Sequence, residues 1–204
     1  MPGQSAEPRR FPYAVALDAA NRLVELLRPH TERIEIAGSI RRERMLVKDI
    51  ELVLVPKFEP SPDVNLFGES PTEINLLVER LNQMVRDGQL EKRLDQRGQA
   101  CWGPRHQRAV FEGIPVDIFG VVAPADWGVI FAIRTGPREF GERCVTKTKF
   151  GGFLPQDLVV EKGGLHRFDG NEFVQIPCPE EDDFFRALGF QTVPAPCDRG
   201  RGGE

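Results

Sequence analysis

From Asp49 to Val55 the chain reads D-I-E-L-V-L-V, and it stops at Pro56. Branched aliphatics at nearly every position suit a strand covered on both faces, which puts this segment in the middle of a sheet. Two carboxylates interrupt it. Asp49 and Glu51 are two residues apart, so on a strand both side chains leave the same face. Carboxylates that leave a central strand side by side repel each other and lose water. A hard divalent cation offsets that cost directly. A polar, solvated sheet edge is the plainer alternative, and the D-x-E spacing alone leaves both open.

The segments around this strand read as an α/β (α+β) chain with a mixed sheet and flanking helices. Leu17, Ala20, Leu23, Val24 and Leu27 recur with helical period between Phe11 and Pro29. Arg33 to Ala37 is a short alternating strand. A helix is expected from Ser70 as N-cap, with Pro71 in its first turn and Glu73 completing a capping box. Its apolar stripe is Ile74, Leu77, Val78, Leu81, Met84 and Val85, and Gly88 ends it. Ala109 to Phe111 and Ile114 to Phe119, joined by Glu112 and Gly113, form a β-hairpin. Further helices are expected from Pro124 to Thr135, from Arg138 to Thr148 and from Glu181 to Leu188. A small hairpin is expected around Asp169 and Gly170. The expected organisation is a disordered start over 1–9, a first domain over 10–124, a C-terminal subdomain over 125–196 and a mobile tail over 197–204.

Composition narrows the function classes. The 204 residues are 40% hydrophobic and 28% charged, the values of an ordinary globular chain. No apolar run approaches the ~18 residues of a membrane span. Residues 1–8 lack the apolar core of a signal peptide, so a cytoplasmic protein without membrane attachment is expected. Cys101, Cys144, Cys178 and Cys197 contain no C-x-x-C pair, and His30, His106 and His166 are equally scattered, which argues against a zinc site or a disulfide framework. The net charge of −4 argues against tight non-specific nucleic-acid binding. Positive charge does gather locally, at Arg134, Arg138, Arg143, Lys147 and Lys149. Arg105, Arg108, His106 and Trp102 could touch nucleic acid, with a solvated basic edge as the plainer reading.

A third carboxylate, Asp117, interrupts the second apolar strand between Val116 and Ile118. Three carboxylates from neighbouring strands would suit two metal ions and an in-line displacement at phosphorus. The segment before Asp49 points the same way. Gly38 and Ser39 follow a strand and open a short helix that carries Arg41 and Arg42. Glycine permits close backbone approach, the serine adds a hydroxyl, and an arginine supplies a charge-assisted fork for phosphate.

Taken together, Gly38-Ser39-Ile40-Arg41-Arg42 followed by Lys48-Asp49-Ile50-Glu51 resembles the palm motif of the nucleotidyltransferase superfamily, and within it the family X DNA polymerases. Pro115-Val116-Asp117-Ile118 resembles the strand that bears that family's third catalytic carboxylate. Thr135-Gly136-Pro137-Arg138-Glu139-Phe140 resembles its T-G-S-x-E-F segment. Glu180 to Gly189, then Val193-Pro194, resembles the close of its nascent-base-pair (thumb) subdomain, and Arg10-Phe11-Pro12 resembles an R-I-P segment before the palm helix. In order, these matches span residues 10 to 196. The sequence also departs from the family pattern. Glu51 and Lys48 stand where Asp and Gly are usual, Ile133 and Arg134 where two aromatics are usual, and Gly141 where an Asn is usual.

The resemblance implies a minimal, monomeric DNA polymerase that takes a dNTP or NTP and weakly bound primer-template or gapped DNA. Asp49, Glu51 and Asp117 would be catalytic and would hold two Mg²⁺ ions, or Mn²⁺ in their place. Arg10, Gly38, Ser39, Arg42, Thr135 and Gly136 would hold the triphosphate, and Arg134, Arg138, Lys147 and Lys149 would be nucleotide or DNA contacts. With nine residues before Arg10, no amino-terminal lyase domain is expected. A same-fold nucleotidyltransferase acting on RNA, a protein or a small molecule is the alternative. A non-enzymatic binding module is the third.

Overall fold

Two strands that run in the same direction form the centre of the protein. The computed structural model describes residues 9–61, 73–170 and 172–199. In chain order, the first half contains β1 (Phe11–Pro12), α1 (Tyr13–Leu27), β2 (Thr31–Ile36), α2 (Gly38–Arg41), β3 (Leu46–Val47), β4 (Ile50–Pro56), β5 (Phe58–Pro60), β6 (Glu73–Asn75) and α3 (Leu76–Arg86). Next come β7 (Glu91–Lys92), β8 (Trp102–Gly103), β9 (His106–Phe111), β10 (Ile114–Gly120), α4 (Trp127–Thr135) and α5 (Arg138–Val145). The chain finishes with β11 (Leu158–Glu161), β12 (Gly164–Phe168), β13 (Phe173–Ile176) and α6 (Glu181–Ala187). The main sheet has the order β2-β4-β10-β9-β7, with β8 also on β9. β4 and β10 are parallel and the other pairs are antiparallel, so the fold is α+β with a mixed sheet. No described helix is long and apolar enough to cross a membrane.

Strand alternation splits the sheet into two faces. Ile50, Leu52 and Leu54 of β4, with Ile114, Val116 and Ile118 of β10, pack into a core shared with α1 and α3. That is the side on which the helical stripe of α1 (Ala16, Ala20, Leu23, Leu27) is buried. The intervening residues point to the opposite face, with Glu51 and Val53 on β4 and Asp117 and Phe119 on β10. Val53 and Phe119 are covered there by Trp127 and Phe131 of α4. A separate core holds the C-terminal subdomain around Phe140, Leu158, Leu165, Phe184 and Phe185.

Ion pairs fasten the two halves across this face. Arg33 of β2 makes two bonds to Glu180, at 2.7 and 2.9 Å, and lies 4.0 Å over the Trp127 ring. Arg41 makes two bonds to Glu181, at 2.9 and 3.0 Å, bonds Thr135 Oγ1 at 2.7 Å and lies 4.0 Å over Phe131. Glu181 also accepts from Arg199 at 2.7 Å.

Several local expectations need correction. α3 begins at Leu76, not in the Ser70-Pro71 region, because Glu73–Asn75 pairs with β5 and Asn75 is the cap, its side chain accepting from the Val78 amide at 3.1 Å. Ser70 and Pro71 lie outside the described residues. α4 begins at Trp127, three residues after Pro124, and α5 ends at Val145, followed by a 3₁₀ turn over Thr148–Phe150. The small hairpin is the second and third strands of a three-stranded sheet, β11 being the unexpected member. The tail expected to be mobile from 197 on is docked as far as Arg199, whose side chain is fully buried against Glu181.

Glu181→Ala leaves the buried Arg199 and the half-buried Arg41 without their carboxylate. Breaking a buried pair from one side costs ~3–5 kcal/mol, and we expect a loss of that order in urea unfolding. A loss under ~1 kcal/mol would show that these arginines do not depend on Glu181.

Candidate functional site

Parallel register brings the acidic residues together along the strands. Asp117 is the cross-strand partner of Glu51, and Asp49 immediately precedes β4. Below Glu51 the chain turns sharply. Gly38 has φ +60°, and a Cβ built on it would fall 1.7 Å from Glu51 Oε2. Only glycine permits both that dihedral and that approach. The turn opens α2, where the Ser39 hydroxyl is buried without a hydrogen-bond partner in the structure.

Glu51 opens into a cleft of about 500 Å³ between the sheet and the C-terminal subdomain. Its walls include Arg42, Arg134, Gly136, Arg138 and Gly141. Arg42 donates to the Thr135 carbonyl at 2.5 Å, while its Nε is buried and unpartnered. Arg138 is exposed and pairs with Glu142 at 2.7 Å.

The three carboxylates sit in unequal electrostatic surroundings. Burial, and then the Asp49 charge, pushes Glu51 up to about 7, with Arg42 opposing. Burial also raises Asp49, helped by Asp117. Asp117 is buried as well, but its bond to His106 Nε2 at 3.1 Å, together with Arg93 at 3.0 Å and Arg108 at 2.9 Å, outweighs burial and holds it below the usual carboxylate range. Asp117 is thus ion-paired within the protein, whereas Asp49 and Glu51 form no ion pair among the described residues. Among the described residues no three Asp, Glu, His or Cys side chains are gathered into a group that could hold a metal ion as they stand. Glu51 and Asp117 share a sheet face with Asp49 just before the strand, and the three do not converge. The donor chemistry of Asp49 and Glu51, hard oxygens short of positive charge, fits a divalent cation. Asp117 would join them by exchanging one of its ion pairs.

The other expected residues divide. Gly38, Ser39, Arg42, Gly136, Arg134 and Arg138 lie at the turn or the cleft. Thr135 does not face the cleft, because it is fully buried with its hydroxyl and carbonyl taken by Arg41 and Arg42. Arg10 is exposed and outside the cleft lining. Lys147 is not a free surface cation, since its ammonium is held by the carbonyls of Pro155, Gln156 and Leu158. Lys149 remains exposed, 4.9 Å over the exposed Phe150 ring. His106 and Arg108, expected on a solvated edge, instead clasp Asp117, as does Arg93, which no motif in the sequence marks. The hairpin could have revealed Arg108. A two-residue turn at Glu112 and Gly113 pairs Phe111 with Ile114 and therefore Arg108 with Asp117.

No protein-family model matches the chain, and no curated protein matches it in sequence.

A carboxyl raised in the folded state binds its proton more tightly there than in the unfolded chain. Stability attributable to Glu51 is therefore full below ~4.5 and falls as pH rises toward about 7. In chelator, Glu51→Gln is expected to raise stability at pH 8 by up to ~3 kcal/mol, each tenfold difference in proton affinity being worth ~1.4 kcal/mol, with little change at pH 4. Equal effects at both pH values in chemical denaturation would contradict this account of Glu51.

Proposed function

We propose that this protein is a metal-dependent nucleotidyltransferase that joins a nucleotide from a (d)NTP to a primer 3′-hydroxyl and releases pyrophosphate, as a minimal family-X-like DNA polymerase would. The observation that carries this reading is the stacking of the Glu51 carboxylate on the Gly38 turn, with Asp117 paired beside it and an arginine-lined cleft in front. Asp49 and Glu51 would hold Mg²⁺, joined by Asp117. When bound, the ion supplies charge neutralisation on the phosphates and lowers the pKa of the attacking hydroxyl.

The chain's own groups supply the remainder. The buried hydroxyl of Ser39 and the unpartnered Nε of Arg42 are donors suited to phosphate oxygens. The guanidinium groups of Arg42 and Arg134 offset the charge of the leaving pyrophosphate. Arg93, His106 and Arg108 orient the Asp117 carboxylate.

One observation favours the alternative acceptor, an RNA, a protein or a small molecule. Gly141 lines the cleft with no side chain, and a Cβ there would already sit 3.0 Å from the Ile133 carbonyl. The wall at that point offers no group to read a base edge.

Primer extension decides between them. Hairpin, gapped and single-stranded DNA are supplied with each dNTP or NTP and Mg²⁺ or Mn²⁺. Templated extension is expected, reduced on the order of 10³-fold in Asp49→Ala/Asp117→Ala. If a triphosphate binds in the presence of metal but no DNA is extended, the acceptor is not DNA and the polymerase reading is lost. Independently of activity, Mg²⁺ is expected to raise the melting temperature of the wild type at pH 8 and to leave that of Glu51→Gln unchanged. Equal shifts would remove Glu51 from the cation site.

A further inference from the structure

Arg134 lies in the last turn of α4 and lines the cleft, and its environment differs from that of the other arginines there. Arg42 gives one donor to the Thr135 carbonyl and keeps a buried, unpartnered Nε, and Arg138 is paired with Glu142. Arg134 is exposed, and its one close partner among the described residues is the Phe119 ring, 3.9 Å below its guanidinium carbon. Stacking occupies the face of a guanidinium and leaves its N–H donors, which lie in the plane, free to bond.

The position of the Phe119 ring is fixed by the sheet. Phe119 follows Asp117 by two residues on β10, so ring and carboxylate share a face, and Phe119 pairs with Val53 as Asp117 pairs with Glu51. Glu51 and Asp117 both attract the Arg134 charge, yet Arg134 forms an ion pair with neither among the described residues. An arginine free to swing between two carboxylates would settle on one of them. Held over Phe119 at 3.9 Å and paired with neither carboxylate, it has donors placed to meet an anion brought up to the same carboxylates.

Resting on the nucleotidyl-transfer reading, we propose that Arg134 grips the α-phosphate of the nucleoside triphosphate and stabilises the charge that builds on it during transfer. In that step the acceptor oxygen forms its bond to the α-phosphorus. The bond from phosphorus to the bridging oxygen breaks, the electron pair leaves with pyrophosphate, and the acceptor's proton passes to water. The reacting phosphate is the one that must lie at the carboxylates, and among the described residues Arg134 is the cleft cation within their field with no hydrogen bond or ion pair. A planar fork matches two phosphate oxygens in a way an ammonium does not. A contact that strengthens as charge builds raises kcat more than it lowers KM.

The test uses Arg134→Ala and Arg134→Lys, whose folding is checked by circular dichroism. With dATP and Mg²⁺ and no acceptor, the ³¹P spectrum of the bound nucleotide is expected to shift at the α-phosphorus in Arg134→Ala and to stay put at the γ-phosphorus. In single-turnover transfer, Arg134→Ala is expected to lower kcat on the order of 10²–10³-fold, while the dATP Kd changes less than ~10-fold. Arg134→Lys should recover only part of the rate. An unmoved α-phosphorus resonance, or a kcat within about twofold of wild type, overturns the proposal while leaving nucleotidyl transfer standing. Failure of the wild type itself to bind dATP overturns the nucleotidyl-transfer reading and the role of Arg134 with it.

Discussion

The parallel pairing of β4 with β10 is the constraint on which the rest depends. Because the two strands run the same way, their acidic ends lie together and their apolar ends lie together. Glu51 meets Asp117, and one step further along Val53 meets Phe119. Antiparallel pairing would have set each carboxylate beside the other strand's hydrophobic end and left neither a polar site nor a continuous apolar patch. The same alternation sends Ile50, Leu52, Val116 and Ile118 to the core on the opposite face.

Charge around the site is distributed unevenly, and the unevenness has structural causes. Asp117 lies across from Arg108 in a tight hairpin, so a cation on β9 reaches it without any long-range accident. Asp49 and Glu51 have no such neighbour strand, because β2 flanks β4 on its other side and brings Ile36 and Glu35 opposite Leu52 and Val53. Their burial and repulsion outweigh what the nearby arginines return. That is why Glu51 remains protonated to about 7, and it makes this end of the strand receptive to positive charge from outside.

Much of the α+β framework is legible in the residues. The run after Asp49 is the central strand, starting at Ile50, the hairpin turns at Glu112 and Gly113, and the short helix follows the Gly38 turn, because each depends on local alternation, turn chemistry or a conformation that glycine alone accepts. The start of α3 is not legible, because Asn75 caps it only after Glu73 and Ile74 have been drawn into pairing with β5, a tertiary event. The burial of Arg199 is invisible in a Pro/Gly/Arg-rich tail, because it exists only through Glu181, which Arg41 also shares. Thr135 and Lys147 sit in promising motifs, but their polar groups are consumed by neighbouring backbone and arginines. A motif conveys residue types, whereas the register and the packing decide which of them stay free.

Val53 and Phe119, the apolar seat for Trp127 and Phe131, follow Glu51 and Asp117 by only two residues, about 6–7 Å along a strand. Two stiff, hydrogen-bonded strands therefore carry both the seat of the C-terminal subdomain and the acidic residues. A tilt of α4 on that seat is passed along the strands as along a short lever, with no loop between to absorb it. Any movement of α4 on that seat would therefore bear on the spacing of the carboxylates as well as on the width of the cleft.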